Sequence, residues 1–308
     1  KATERIFLAP IKMTMVPEIL DMNMPVEGVF HNLVLAKIEK SFAGQAQKVM
    51  NAMWGAGQMM FNKILAIVDE KVDLNEYEKL AQHVFKNMNP ATDIYFSQGP
   101  MDVLDHSCSK MGFGGKMCID GTIKEEEEMQ AEWFDEAAFV DEIHLKNTYK
   151  EIQQINTSLL KKDIACIIFS IKKEKQNHIK EFCELVSKSD YLKGIKMVLI
   201  VDASSDVNDI SSCLWRVCNN FDPKRDSFIY TKNIAHKTSS TIYIDGTRKT
   251  KEHDNFQRDW PNAIVSNEET IKSIDEKWSS LGLGEFIASP SLKYQSTVVG
   301  KSAEVREH

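Results

Sequence analysis

The chain has 308 residues, of which 43% are hydrophobic and 27% are charged, and its formal net charge is −7. This composition is typical of a folded globular protein, and the negative charge argues against a surface dedicated to nucleic acid. The longest strongly apolar run, residues 164–171, is far shorter than the roughly 20 residues that span a bilayer. It predicts a buried strand, and the sequence predicts no transmembrane segment.

The cysteines form no CxxC pair and no regular framework, and several lie inside apolar runs where Cys acts as a small hydrophobic residue. This pattern favours a reducing, cytoplasmic location. The chain begins with Lys1 rather than Met, which indicates a piece of a longer protein. The six cysteines are Cys108, Cys118, Cys166, Cys183, Cys213 and Cys218.

Apolar strands alternate with amphipathic helices after a leading segment, residues 1–30, and predict a β-α-β-α-β unit. Asp73, with Glu76 three residues later, is expected to cap the second helix. The predicted elements are a strand at 33–38, a helix at 44–60, a strand at 64–68, a helix from about Leu74, and short strands near 94–96 and 117–119.

The same unit occurs a second time. Residues 63–69 (KILAIVD) recur 133 positions later as 196–202 (KMVLIVD), and the match continues without a gap to Asp93 and Asp226. Residues 119–122 (IDGT) recur at 244–247 with a shift of 125, so eight residues are missing from the second unit. We therefore expect residues 31–96 and 164–229 to have the same strand order.

The fold class is predicted as α/β: two tandem three-layer α/β/α units, each with a mainly parallel sheet, plus a C-terminal helix and extended arm. Copy 1 is predicted at 31–130, a linker at 131–160, copy 2 at 161–265 and the tail at 266–308. All but one of the 14 methionines precede residue 130, and only copy 1 has the glycine-rich stretch 111–117. Copy 1 is thus expected to face a partner, and copy 2 to act as scaffold.

Three sets of residues are candidates for chemistry. Asp69 and Asp73, with their repeats Asp202 and Asp206, follow strands where α/β folds place sites, but helix capping explains them better. The group Asp105, His106 and Cys108 has no second cluster with metal-ligand spacing, so no metal site is predicted. Residues 112–116 do not fit the phosphate-loop pattern, and a close approach to another domain is the better interpretation.

Several segments resemble the C-terminal domain of the UbiD family of decarboxylases. They follow the family's order over residues 4–124, and the second copy is similar in a weaker form. The segment 247–261 resembles the family's exit from this domain, which indicates a duplicated domain with the original tail on copy 2. The matching segments of copy 1 are 4–7 (ERIF), 17–19 (PEI), 25–32 (PVEGVFHN), 54–63 (WGAGQMMFNK), 89–93 (NPATD), 100–106 (PMDVLDH) and 115–122 (GKMCIDGT).

The resemblance implies a non-oxidative decarboxylase of aromatic or α,β-unsaturated acids, with a polyprenylated 4-hydroxybenzoate or related quinone precursor as the expected substrate. It implies prenylated FMN, supplied by a flavin prenyltransferase, and a divalent metal. The family's catalytic residues and metal ligands belong to an N-terminal flavin domain upstream, so this chain is expected to have no catalytic residue. Lys63 matches the basic residue that reaches the flavin phosphate and is the one cofactor contact expected here.

Two alternatives to part of a decarboxylase are a non-catalytic oligomerisation or interaction module and an independent nucleotide-binding enzyme. The lack of a GxGxxG turn disfavours the latter. In the tail, Ser266 and Glu269 form a capping box, which predicts a helix at 267–281 ended by Gly282 and Gly284. The apolar arm beyond it is expected to hold a homo-oligomer, or to fold back on copy 1.

Overall fold

A computed structural model describes residues 2–129, 137–234 and 237–305. The chain divides into two compact units, residues 1–256 and 257–308. The strands are β1 Ile19–Asn23, β2 Leu33–Ile38, β3 Ile64–Asp69, β4 Ile94–Pro100, β5 Phe113–Asp120, β6 Phe139–Val140, β7 Ile152–Asn156, β8 Cys166–Ile171, β9 Leu192–Lys193, β10 Met197–Asp202, β11 Ser227–Ile234, β12 Lys237–Asp245, β13 Trp260–Pro261 and β14 Glu304–Val305. The helices are α1 Ala2–Thr14, α2 Gln45–Trp54, α3 Tyr77–Asn87, α4 Glu142–Thr148, α5 His178–Lys188, α6 Ile210–Asn220, α7 Lys251–Asp254, α8 Glu268–Lys277 and α9 Ser291–Tyr294.

The first unit contains two five-stranded sheets with the same topology. Sheet 1 has the order β1-β2-β3-β5-β4, and sheet 2 has the order β11-β12-β10-β8-β7. In each sheet the three central strands are parallel and both edge strands are antiparallel. The registers agree too, since Leu33 pairs with Ile64 as Cys166 pairs with Met197. The predicted α/β class and the equivalence of the two copies are confirmed.

Each sheet includes an edge strand that lies earlier in the chain than the strands predicted from the sequence. Strand β1 lies in the predicted leading segment, and β7 lies in the predicted linker, yet each pairs with the first long strand of its sheet. These edge strands, ILDMN and IQQIN, contain polar positions and give no continuous apolar run. Strands β1 and β7 are therefore parts of sheets 1 and 2, and the first compact unit, which contains both sheets, ends at Phe256.

Helix starts also differ from the expected ones. Helix α3 begins at Tyr77 rather than near Leu74, and Asp73 accepts a hydrogen bond from the backbone of Asn75 instead of capping the helix. In copy 2, Asp209 does cap α6, by accepting from the backbone N–H of Ser212. The aspartate–asparagine turn before each helix delays the first helical residue.

Alternating side chains give each sheet two apolar faces. The outer face of sheet 1 packs against α1 and α2, and the outer face of sheet 2 packs against α5. The inner faces of both sheets form one continuous core with α3 and α6 between them. The cysteines are buried and free, so they contribute to this packing as small apolar groups.

The second unit, taken by itself, contains the tail helix and a short β-ribbon. Helix α8 continues as a 3₁₀ turn to Ser280, close to the predicted end, and Asn267 rather than Ser266 caps it by accepting from Thr270 N–H. The following segment is not a continuous extended arm, since it contains α9. Strands β13 and β14 pair antiparallel. No described helix is long and apolar enough to cross a membrane.

Candidate functional site

Copy 1 carries a loop that copy 2 lacks. Residues 101–112, here called the β4–β5 loop, join the two antiparallel strands at one edge of sheet 1. In copy 2 the corresponding strands, β11 and β12, are separated only by residues 235–236. The loop contains residues 101–106 of the segment PMDVLDH, and its polar residues have no counterpart in copy 2. The groups around this loop are therefore the first candidates for a functional site.

Lys63 immediately precedes β3 and has no exposed surface. Its ammonium is 2.7 Å from Asp105 Oδ2, 2.9 Å from Ser107 Oγ and 3.0 Å from the carbonyl oxygen of Cys218. An ammonium has three hydrogens, and these three acceptors use all of them. Burial alone would raise the pKa of Asp105, but attraction to Lys63 and hydrogen bonds from Lys63 and Ser107 lower it overall. The carboxylate of Asp105 is therefore stabilised in its ionised form.

Lys116, on β5, is a second buried lysine. Its ammonium donates to the carbonyl oxygens of Met60 at 2.6 Å and Asn62 at 2.9 Å, and the Met101 sulfur lies 3.5 Å away. Among the described residues no carboxylate forms an ion pair with it. Burial lowers the pKa of Lys116 to about 8. A charge in this environment is costly, because only neutral acceptors compensate for the lost water.

His31 lies beside the β4–β5 loop. Its Nδ1 is 3.4 Å from Asp102 Oδ2, while Nε2 is buried and has no hydrogen-bond partner among the described residues. The ring contacts Phe30 and Phe61, with centroids 3.8 and 5.8 Å away. Burial lowers the pKa of His31, against the opposing effect of Asp102. The imidazole is therefore neutral near pH 7, with Nδ1 placed to donate to the carboxylate.

The backbone before His31 is strained. Val29 and Phe30 have φ values of 38° and 73°, in the left-handed region that β-branched and bulky residues rarely adopt. The residue of copy 2 equivalent to Phe30 is Asp163, with φ of 56°, and Asp adopts this region more readily. Copy 1 thus holds an aromatic ring against His31 at a cost in backbone energy that copy 2 avoids.

The glycines that open β5 allow a close approach to copy 2. A Cβ on Gly115 would lie 2.4 Å from Asp222 Oδ1 and 2.6 Å from the Lys224 nitrogen, and one on Gly114 would lie 2.5 Å from the Cys108 sulfur. Gly115 N–H donates to Asp222 Oδ2 at 3.2 Å. This stretch thus approaches another part of the chain closely, as the sequence favoured, although most of it is strand rather than loop.

A family model, described as the 3-octaprenyl-4-hydroxybenzoate carboxy-lyase C-terminal domain, matches residues 1–121 and 136–245. The chain belongs to the UbiD family. The two matched segments correspond to the two copies, so the resemblance read from the motifs of copy 1 extends to copy 2.

Relatives of the UbiD-family chain are longer proteins. An uncharacterized protein of Helicobacter pylori strain J99 is 32% identical over 282 residues, covering 89% of this chain and 42% of that protein. One of Archaeoglobus fulgidus is 44% identical over 137 residues, covering 44% of this chain and 28% of that protein. The chain therefore spans less than half the length of these relatives.

Two solved structures are similar to parts of the chain. Vanillic acid decarboxylase from Sedimentibacter hydroxybenzoicus, in its open form, is 23% identical with a TM-score of 0.39, covering 48% of this chain and 32% of that chain. The UbiD-class enzyme HmfF from Pelotomaculum thermopropionicum, in complex with FMN, is 21% identical with a TM-score of 0.37 and the same coverage.

Among the described residues, the ammonium of Lys63 already has close acceptors in the folded chain. A flavin phosphate needs free N–H donors, and the hydrogens of Lys63 are held by Asp105, Ser107 and Cys218. That Lys63 contacts the cofactor therefore stays a prediction, and it requires one of these acceptors to move away from the ammonium.

The other sequence candidates are placed in structural roles. Asp69 accepts from the Ile123 backbone and lies 2.6 Å from His83 Nε2, and Asp202 accepts from the Arg248 backbone. Asp105 is committed to Lys63. Within the described ranges, no three His, Cys, Asp or Glu side chains are placed to hold a metal ion.

The sequence did not single out His31, Asp102 or Lys116. The repeat contains a signal for two of them, because a shift of 133 aligns His31 with Ile164 and a shift of 125 aligns Lys116 with Thr241. Both are positions where copy 1 has an ionisable side chain and copy 2 does not.

Proposed function

We propose that the chain is the C-terminal part of a UbiD-like carboxy-lyase that removes the carboxylate from a polyprenylated 4-hydroxybenzoate or related aromatic acid in quinone biosynthesis. The observation that carries this proposal is the family match over both copies. The prenylated FMN, which supplies the electron sink for decarboxylation, would be held by an N-terminal flavin domain outside this chain, with its divalent metal. A flavin prenyltransferase would supply it, in the cytoplasm.

In this proposal the chain alone does not turn over substrate. Contacts within the chain support this. The donors of Lys63 are occupied, Lys116 donates to backbone carbonyls, and His31 contacts Phe30 and the loop residue Asp102. The role of the chain is to present the β4–β5 loop to the flavin domain. Val103, Leu104 and Met111 in this loop are largely exposed, Leu104 by 85%, and apolar groups in such a position favour a protein contact.

The proposal is tested with the complete protein, co-expressed with a flavin prenyltransferase. Release of CO₂ from a panel of aromatic acids, including prenylated 4-hydroxybenzoates, is the expected result. The 308-residue chain, with prenylated FMN added, is the control and should release none. If the complete protein with bound cofactor releases no CO₂, the decarboxylase assignment is wrong. If the control releases CO₂, the 308-residue chain is catalytic without the flavin domain.

The second candidate is a non-catalytic interaction module. It is favoured by the same exposed apolar residues of the loop. If the complete protein binds no flavin yet assembles into an oligomer that the chain alone reproduces, this candidate replaces the first. Flavin absorbance after gel filtration distinguishes the two without any knowledge of the substrate.

A further inference from the structure

The two copies contact each other as the halves of a twofold dimer do. In an isologous interface each contact occurs twice, with the partners exchanged. Lys63 donates to the carbonyl of Cys218 at 3.0 Å, and its equivalent Lys196 donates to the carbonyl of Phe85, the equivalent of Cys218, at 2.5 Å. One contact runs from copy 1 to copy 2, and the other runs back.

A second pair of contacts obeys the same exchange. Gly115 N–H donates to the Asp222 carboxylate, while Ser240, the equivalent of Gly115, donates through its hydroxyl to Asn89 Oδ1 at 2.8 Å. Asn89 is in turn the equivalent of Asp222. The chemistry of the two contacts differs, but their positions are exchanged in the same way.

The apolar part of the interface follows the same rule. The inner faces of sheets 1 and 2 share one core cluster, to which α3 and α6 both contribute. A shared core of this kind resembles an obligate subunit interface rather than a loose contact between domains.

The symmetry is broken at the β4–β5 loop. Asp105 and Ser107 bind Lys63, whereas copy 2 has no loop to bind Lys196 in this way. From copy 2, Arg225 donates to the carbonyl of Ser107 at 2.8 Å and to Ser109 Oγ at 3.1 Å.

Arg225 is itself fixed. Its guanidinium makes two hydrogen bonds of 2.7 Å to Asp226, and it lies over the ring of Phe256 at 5.1 Å. A bidentate arginine is a rigid donor. The equivalent residue of copy 1 is Thr92, which has neither the charge nor the length for this contact.

We propose that copy 2 acts as a covalently attached second subunit, which covers the inner face of sheet 1 and holds the β4–β5 loop in place through Arg225. The loop conformation then depends on a partner that cannot dissociate. The symmetric contacts hold the two copies together, and Arg225, whose equivalent in copy 1 is Thr92, holds the loop. This holds whether or not the complete protein is a decarboxylase.

The subunit-like pairing is tested by cutting the chain between the copies. A site-specific protease sequence is inserted between Met129 and Ala137 in the 308-residue chain, and the purified protein is cleaved. We expect both halves to elute together from gel filtration in native buffer and to separate only in denaturant. Separation in native buffer would overturn the proposal.

The role of Arg225 is tested by amide hydrogen exchange. In Arg225→Met, exchange in residues 101–112 should rise about tenfold, because a charge-assisted hydrogen bond of this kind is lost, while exchange in β3 stays as in the wild type. Arg225→Lys keeps a charge beside Asp226 and should give the same loop effect, which guards against a variant that simply unfolds.

Lys162→Met is the matched control. Lys162 also bridges the copies, through an ion pair of 2.6 Å with Glu78, but it does not touch the loop. Its loop exchange should equal that of the wild type. Unchanged loop exchange in Arg225→Lys, or an equal rise in Lys162→Met, would show that Arg225 has no particular role there.

Discussion

Lys116 and Thr241 occupy the same position of two equivalent strands, and each donates a hydrogen bond to an equivalent backbone carbonyl. Lys116 donates to Asn62 at 2.9 Å, and Thr241 donates to Ile195 at 2.6 Å. A hydroxyl is thus sufficient for the bond, so the charge of Lys116 is not needed to hold the strand. The two copies provide a comparison inside one molecule for testing what that charge costs.

Replacing Lys116 with the residue that copy 2 uses should change the pH dependence of stability. The folded chain releases the Lys116 proton near pH 8, whereas the unfolded chain keeps it until about 10.5. Between these values the unfolded state binds more protons, so the Lys116 contribution to the free energy of unfolding rises with pH. The rise is up to about 3 kcal/mol before solvent screening reduces it.

The measurement is urea unfolding of the wild type and Lys116→Thr from pH 7 to 10.5. The difference in the free energy of unfolding, wild type minus Lys116→Thr, should increase across this range. Taking this difference cancels the contributions of tyrosines and cysteines, which both proteins share. A constant difference would mean that the lysine is not desolvated. Lys124→Thr, at a lysine already paired with Asp120 at 3.1 Å, is the control.

The ion pair of Lys63 and Asp105 should be sensitive to the loss of one partner and tolerant to the loss of both. Lys63→Met leaves a buried carboxylate without its counter-charge, which typically costs about 3–5 kcal/mol. Lys63→Met with Asp105→Leu removes both charges and should recover most of that loss. Chemical unfolding of the two variants measures this, and a double variant as unstable as the single one would contradict it.

The same double variant gives a clean test of the cofactor contact in the complete protein. If Lys63 reaches the flavin phosphate, the folded double variant should retain less flavin after gel filtration than the wild type. Lys196→Met, at the equivalent position of copy 2, should retain as much as the wild type. Equal flavin absorbance in all three proteins would remove Lys63 from the cofactor site.

The sequence predicted the parts of the fold that repeat. Strands β3 and β10 are entirely apolar up to their final Asp, so the shift of 133 between Lys63 and Lys196 was enough to predict two equivalent sheets. It could not predict how the sheets meet. Hydrophobic periodicity identifies a buried face but does not say what covers it, so the contact of Lys63 with Cys218 was not foreseen.

The candidate site was predicted less well for a related reason. Lys63 was chosen from a family resemblance, and its local sequence does not reveal that Asp105 and Ser107 saturate it. His31 and Lys116 lie in different segments and approach each other only through the folding of sheet 1. A comparison of the aligned positions of the two copies, for ionisable side chains present in only one of them, would have identified both residues.

Gly115 is required by the contact with copy 2. Gly115→Ala places a Cβ within 2.6 Å of the Lys224 backbone nitrogen, which cannot move without shifting the chain. We expect a lower melting temperature and faster exchange at both Gly115 and Lys224. Gly55→Ala, whose Cβ would have its nearest neighbour at 3.4 Å and whose φ is −91°, should be neutral or stabilising. A similar effect of both substitutions would argue against the close approach.

The tail should contribute to self-association. Taken within its own unit, it exposes Leu283, Phe286, Ile287 and Leu292, and Trp278 packs edge-on against Phe286 with ring centroids 5.7 Å apart. Exposed apolar groups at this density favour an interface, and a twofold dimer is the simplest assembly that covers them. A chain truncated after Val265 should therefore sediment as a smaller species than the intact chain over the same concentration range. Phe286→Ser with Ile287→Ser in the intact chain should have the same effect without removing α8. If both altered proteins sediment as the intact chain does, the tail is not the contact, and its folding back on copy 1 becomes the better explanation.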